Sequence, residues 1–245
     1  MLSSSLSTLA NIQRMPPRWF AQPLLFDNYA KVFTYIPFAR MLLNSVEITV
    51  LATFGTLLSC SMAGYSFARL RYPGRDFIFM ILLSTMMIPY VVVLIPHFII
   101  FKTFHWIDTH LPLVVPAFLG GAFGTFLFRQ FFRTLPPELD DAARMDGCGP
   151  FGIYLNIALP LSKPAIATMA IFSFQANWNS FIAPLIYINS MAKMPVTLGL
   201  AFFRGPTGDE WNLFMAASLM AVIPTIVLFV AAQDYFVRGV VLSGI

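Results

Sequence analysis

The chain has 245 residues, 58% hydrophobic, 16% aromatic and only 11% charged, with a net charge of +4 and a mean hydropathy of +0.75. A soluble domain carries about 25% charged residues, so this composition excludes an ordinary water-facing surface and points to the membrane class. The basic residues are scattered between apolar runs and form no dense patch along the sequence. That argues against nucleic acid as a partner and for flanking charges that orient membrane segments. Cys60 and Cys148 lie far apart, one in an apolar run and one in a polar stretch, which is neither a disulfide framework nor a metal-binding spacing.

The opening stretch, "MLSSSLSTLANIQRMPPRWF", has too short an apolar region and no charged start for a signal peptide. It reads as an extracytoplasmic linker, and residues 1–40 are assigned to an N-terminal extracytoplasmic segment. Charge-free runs then follow at 48–68, 77–101, 109–128, 164–192 and 211–233. Each has roughly the 20 apolar residues that cross about 30 Å of hydrocarbon at 1.5 Å per residue. Continuous apolar runs choose helices over a closed barrel, so the expectation is an all-α bundle of five spans over residues 41–245. Pro89, Pro96, Pro116, Pro184 and Pro224 fall inside the runs and predict kinked, mutually packed helices. Gly55, Ser59 and Ala63, and Gly120 with Gly124, are small residues spaced by four that predict close helix approach.

Orientation follows from the loops. Arg69, Arg71, Arg75, Arg129, Arg133, Arg144, Lys163 and Arg238 fall on one side, against Lys102, Lys193 and Arg204 on the other. Arg14, Arg18, Lys31 and Arg40 add to the second side but are spread over a long segment, with only Arg40 near a span. The positive-inside rule places the first set, and with it the C-terminus, in the cytoplasm.

The loop 134–160 is the most polar organised stretch. Leu135-Pro136-Pro137 suits the start of a helix, and the acids that follow complement its dipole. Helical spacing puts Leu139, Ala142, Ala143 and Asp146 on one face, with Glu138, Asp141 and Arg144 on others. "GCGP" breaks that helix. Phe151, Tyr154, Leu155 and Ala158 then restart an amphipathic pattern, with re-entry into the membrane expected near Leu159-Pro160. Gly147, Gly149 and Gly152 spell a dinucleotide fingerprint, but that motif works only after a buried strand. Here a charged helix is expected before it and a span after it.

The same residues resemble a known family. Asp141-Ala142-Ala143, three residues, Gly147, nine residues, then Ile157-x-Leu159-Pro160 reproduces the EAA-x3-G-x9-I-x-L-P signature of permeases in bacterial binding-protein-dependent ABC importers. "AGYSFARLRYPGRDFIF", "LPPELDDAARMDGCG", "LPLSKPAIATMAIFSFQANWNSFIAPLIY" and "YFVRGVVLSG" are similar to the carbohydrate-uptake, maltose-type branch. The resemblance implies an inner-membrane subunit forming half of a sugar pathway, usually with six spans, so that a first span preceding Met1 is expected. It implies as partners a cytoplasmic ATPase dimer, a second permease subunit and an extracytoplasmic solute-binding protein, besides membrane lipid and sugar. It implies that the loop docks on the ATPase through Asp141, Ala142, Ala143, Asp146, Gly147, Ile157, Leu159 and Pro160. Asp141 replaces the family's usual Glu and shortens the reach of the carboxylate.

No cofactor is expected, and no enzyme activity. None of Lys31, Lys102, Lys163 and Lys193 follows a glycine, so no phosphate-binding lysine loop exists. His97, His105 and His110 lack the convergent ligands of a metal site. Within the run 164–192, Gln175, Asn177, Trp178 and Asn179 are polar groups that are expensive in a membrane. They read either as lining a sugar pathway or as interhelical glue worth about 0.6 kcal/mol each. A permease of the same architecture for a glycerol-phosphate-like solute, a secondary transporter, which would require inverted repeats, and an assembly scaffold stand as competing functions.

Overall fold

The computed structural model describes residues 1–14, 23–205 and 208–242. Arg18, one of the N-terminal charges counted above, lies outside the described residues. The chain opens with two single-turn helices, α1 (Leu2–Ser5) and α2 (Leu9–Ile12), the second capped by Thr8, whose hydroxyl accepts from the Asn11 amide at 3.2 Å. Next comes α3 (Asp27–Tyr35). The buried Asn28 donates to the carbonyls of Ser5 and Ser7 at 2.8 and 3.0 Å and accepts from Asn212 at 3.3 Å. One amide therefore ties the N-terminal turns to α3 and to the last helix. The described N-terminal turns are thus packed against the rest of the chain.

The organising element is α4 (Phe38–Arg69), 32 residues long. It exceeds the charge-free run 48–68 because Arg40 and Glu47 sit in its outer turns, where charges reach the interface. One stripe of α4 is buried from Met41 through Asn44, Ile48 and Ala52 to Cys60 and Tyr65. Leu43, Val46, Val50, Phe54, Leu58 and Met62 form the opposite, exposed stripe, the pattern of a helix with one face on the bundle and one on lipid.

After the Gly74 turn come α5 (Arg75–Ser84) and α6 (Tyr90–Thr103), which meet at 102°. The run 77–101 is thus not one straight helix. Pro89 lacks an N–H and pushes Ile88 into an extended conformation (φ −86°, ψ 113°), as a residue before proline must be. The next span comprises α7 (Leu111–Val114), a 3-10 stretch (Val115–Leu119) and α8 (Ala122–Thr134). Its break falls at Gly120, whose φ of +87° only glycine adopts without strain. Backbone groups freed there are answered from α4: Ser59 donates to the Ala117 carbonyl at 2.9 Å, and the Cys60 thiol accepts from the Gly121 amide at 3.2 Å. Such repair is what a break inside hydrocarbon requires.

Then follow α9 (Glu138–Met145), α10 (Pro150–Ile153), a π turn (Tyr154–Ala158) and α11 (Leu159–Leu161). A bend of 79° at Ser162 leads into α12 (Lys163–Trp178). The run 164–192 is not one helix. Asn177 and Asn179 turn back to the carbonyls of Ser173 and Gln175 at 2.8 and 2.9 Å, and Thr197 donates to those of Trp178 and Ser180. These side chains offer the last turn alternatives to helix continuation. The remainder folds into α13 (Ile182–Tyr187), α14 (Val196–Gly199) and a two-residue antiparallel hairpin (Arg204–Gly205 with Gly208–Asp209). The final helix is α15 (Trp211–Leu242).

Three helices cross by length and apolarity, and five spans result when each bent pair is one. The chain is an all-α polytopic membrane bundle. Its interior has two cores. One gathers Val32, Phe38, Met41, Trp178, Phe203 and Ala217; the other gathers Cys60, Tyr65, Phe128, Phe132, Tyr154 and Met169. Gly55, as expected, Gly64, which the spacing did not single out, and Gly124, as expected, all sit at close helix contacts. A Cβ there would stand 2.5 Å from Phe118, 2.5 Å from Phe128 and 2.7 Å from Cys60 respectively. Gly120 differs, since it supplies the break rather than a contact.

Candidate functional site

The second core supports the polar loop, which folds as a knob at the end of the bundle. Its first helix, α9, carries Glu138, Asp140 and Asp141 in the first turn and Arg144 in the last, complementing the dipole at both ends. Asp140 turns inward to Arg69 at 3.6 Å, with their side chains 11% and 10% exposed. Arg69 also donates to the carbonyl of Phe132 at 3.0 Å and to that of Leu135. One guanidinium therefore joins the end of α4, the end of α8 and the start of α9. Charge spacing alone missed the pairing of Arg69 with Asp140, because an arginine at the end of one apolar run and an acid inside loop 134–160 have no local link in the sequence.

This clasp sets the rotation of α9. The inner face is Asp140 with Ala143, which is 5% exposed and packs in the second core with Phe132, Ile153 and Tyr154. Leu139, Ala142 and Asp146 are exposed, so the face expected from helical spacing is corrected. The outward side presents Leu139, Asp141, Ala142 and Met145, with Asp141 3.4 Å from Arg144.

Gly147 ends α9 in a left-handed conformation, φ +81°. The Cys148 amide donates to the Ala143 carbonyl at 2.9 Å and the Gly147 amide to the Arg144 carbonyl at 3.0 Å, the bond pair of a Schellman cap. A Cβ at Gly147 would meet nothing within 4 Å. Backbone conformation, not crowding within this chain, is what requires glycine there. Pro150 opens the following rod, which runs unbroken through the π turn to Leu161. Ile157 and Leu159 are half-buried against the second core and Pro160 is exposed. The turn toward α12 comes at Ser162, two residues beyond the expected Leu159-Pro160. A helix precedes the glycine triplet, so the strand that a dinucleotide fingerprint needs is missing.

A polar cavity of 210 Å³ lies among α4, α6, α7 and the end of α12. Ser45, Thr49, Tyr90, Asn177 and Ser180 contribute its polar lining, and the buried Thr49 hydroxyl has no hydrogen-bond partner among the described residues. Of the four polar residues singled out in α12, only Asn177 lines this cavity. Gln175 and Asn179 bond to each other at 2.8 Å. Trp178 is 3% exposed, stacks on Phe174 and donates its indole N–H to the Ala221 carbonyl at 3.1 Å. It is packed inside the first core. Ser45 and Thr49 escaped sequence reasoning because short hydroxyl side chains are common in membrane helices for packing alone.

At the opposite end of the bundle from the knob, Asp108 binds the loop after α13. It accepts from the amides of Asn189 and Ser190 at 3.0 and 2.7 Å, from the Ser190 hydroxyl, and from Lys193 at 3.2 Å. The bonds from Ser190 and then Asn189, with Lys193, hold its carboxyl well below the usual carboxylate range. Close by, His110 lies 3.4 Å from Glu47 and 2.9 Å from the Lys193 carbonyl.

A long-helix membrane bundle with a helical knob at one end and a cavity between its spans is the class of protein that this fold and site define. Residues 55–242 match the family described as "Binding-protein-dependent transport system inner membrane component". The chain is 34% identical over 223 residues to the arabinooligosaccharides transport system permease protein AraQ of Halalkalibacterium halodurans, covering 91% of this chain and 80% of that protein. It is 33% identical over 215 residues to the lactose transport system permease protein LacG of Rhizobium radiobacter, covering 88% and 78%. It is 35% identical over 207 residues to the sn-glycerol-3-phosphate transport system permease protein UgpE of Shigella flexneri, covering 84% and 73%. Its fold superposes on a chain of a bacterial ABC transporter involved in the import of the acidic polysaccharide alginate, with TM-score 0.84, 22% identity and coverage of 96% and 88%. The protein belongs to this family of inner-membrane transport components. It is a multi-pass, non-catalytic permease subunit of an ABC importer.

Proposed function

We propose that this chain forms half of the pathway of an ATP-driven sugar importer and couples to a separate ATPase through loop 134–160. The observation that carries the reading is the knob itself. Its outward residues Leu139, Asp141, Ala142 and Met145 are exposed, while Arg69–Asp140 fixes its base to two spans. A rigid lever of this kind passes a push at the knob into α4 and α8, and α4 lines the cavity. Asp141 and Gly147 hold the docking roles that the family motif assigns them. Residues 1–40 and the Asp108 loop face the extracytoplasmic side, where a solute-binding protein delivers the sugar, and the C-terminus is cytoplasmic. The cavity hydroxyls and the Asn177 amide supply donors and acceptors suited to a polyol.

Uptake into vesicles, with and without the cognate ATPase and a second permease, tests the reading. Asn177→Ala and Thr49→Val should lower sugar uptake while the ATPase still co-purifies. Sugar uptake that persists without any ATPase would overturn it. A phosphorylated polyol taken up in preference to sugars would point to the glycerol-phosphate-type alternative, which the likeness to UgpE keeps in view.

A further inference from the structure

Arginines that are scattered along the sequence converge at the knob end of the bundle, apart from the Arg69 clasp. Arg75 opens α5, Arg129 and Arg133 lie one turn apart near the end of α8, and Arg71 sits in the loop between α4 and α5. Arg75 grips Asp76 with both branches of its guanidinium, at 3.0 and 3.1 Å. Arg129 reaches the same carboxylate at 3.5 Å. Arg129 is further held over the Phe79 ring at 4.1 Å and by the Phe67 carbonyl at 3.3 Å. Arg133 is near enough for its charge to act on both Asp76 and Arg129. Asp76 thus serves two arginines already. Arg71 and Arg133 are exposed and have no hydrogen bond or ion pair among the described residues. Four arginines against the one carboxylate of Asp76 leave this corner net positive.

The surroundings of the cluster are apolar. Immediately along α5, Phe77, Ile78, Met80 and Ile81 are 68%, 49%, 68% and 51% exposed, while Phe79 between them is turned inward. A cationic rim continuous with an exposed apolar helix face is complementary to one kind of molecule, an amphiphile with an anionic head and acyl chains. The rim also stands at the ends of membrane helices, the depth of lipid headgroups. We propose that Arg71, Arg75, Arg129 and Arg133 bind the phosphate of an anionic phospholipid, whose chains lie along Phe77, Met80 and Ile81. Arg75 and Arg129 are pre-set by Asp76, Phe79 and Phe67, so the headgroup meets donors already in place. An acidic protein surface would satisfy the arginines but would leave the α5 apolar face uncovered.

The full permease, purified with its co-expressed partners, is reconstituted in nanodiscs of phosphatidylcholine mixed equally with phosphatidylglycerol. Retained lipid is read by native mass spectrometry. Wild type should retain phosphatidylglycerol over phosphatidylcholine. Each arginine at an anionic surface contributes about fivefold, so R71Q/R133Q should retain roughly twenty-five-fold less phosphatidylglycerol. R40Q, changed at the far end of α4, should match wild type, and inorganic phosphate should not displace the lipid. Equal retention of the two lipids by wild type would overturn the proposal, as would unchanged preference in R71Q/R133Q. So would displacement by inorganic phosphate, which would mark a site for soluble anions. Loss of the ATPase from R71Q/R133Q with lipid preference intact would overturn it in favour of a protein-docking surface. The readout uses no transport step, so it stands or falls separately from the sugar-import reading.

Discussion

Three residues carry most of the local logic. Gly147 occupies a left-handed conformation that costs an L-residue about 1–2 kcal/mol, and a β-branched side chain suffers most. Gly147→Val is therefore expected to lower coupled uptake about tenfold or more, with membrane insertion unchanged. Gly147→Asn, which tolerates that conformation, should keep most activity. Uptake and ATPase co-purification measured side by side check both outcomes. Arg69 is the second. Arg69→Ala removes the donors to two carbonyls and leaves Asp140 nearly buried and unpaired, a loss on the order of 3–5 kcal/mol when such a pair is broken. Asp140→Asn keeps a hydrogen-bonding group and should cost less. Limited proteolysis within residues 135–150 should accelerate strongly in Arg69→Ala and mildly in Asp140→Asn; equal rates in both would show that the clasp does not hold the knob. The third is Asp108. A carboxyl held low in the folded state adds stability above its unfolded value, and the gain disappears as pH falls through the folded value. The loop clasp is thus complete at neutral pH and weakens only in acid, from the ordinary carboxylate range of about 4 downward. Protection factors for the Asn189 and Ser190 amides should stay level from pH 7 to that range and then drop. Asp108→Asn should lower them already at neutral pH.

Elements pack here through absent side chains. Gly64 lets α8 approach so closely that a Cβ would meet the Phe128 Cβ at 2.5 Å and the Arg129 backbone nitrogen at 2.9 Å. Backbone cannot swing aside, so Gly64→Ala should push α4 and α8 apart and destabilise the bundle by about 1–3 kcal/mol, the usual effect of overpacking. Gly149→Ala, where a Cβ meets nothing within 4 Å, is the matched control. Thermal unfolding in detergent followed by tryptophan fluorescence should show a lower midpoint for the first variant and an unchanged one for the second. Helix ends follow the same economy of backbone groups. The break at Gly120 survives in a membrane because Ser59 and Cys60 answer the freed amide and carbonyl groups. The early stop of α12 survives because Thr197 answers its last carbonyls.

At the scale of the whole molecule, the sequence by itself determined the membrane class, the helical architecture and the number of apolar runs. Those depend on composition summed over some 20 residues, and hydrocarbon leaves the backbone few alternatives. The motif from Asp141 to Pro160 was also legible, because it is local. Where helices break was legible only in part: Pro89 announces its own bend, whereas Asn177 and Asn179 stand out as polar but not as a helix end until Thr197 arrives from elsewhere. Only the tertiary structure decided which way each polar residue faces. Helical spacing left α9 free to rotate, and Arg69, seventy-one positions before Asp140, chose the rotation. It sent Trp178 to Ala221 and left Asn177 at the cavity. It also gathered Arg75, Arg129 and Arg133 around Asp76 at one corner. A helix presents every azimuth to its surroundings, so the facing of a side chain is a property of its neighbours, and those neighbours are distant in the chain.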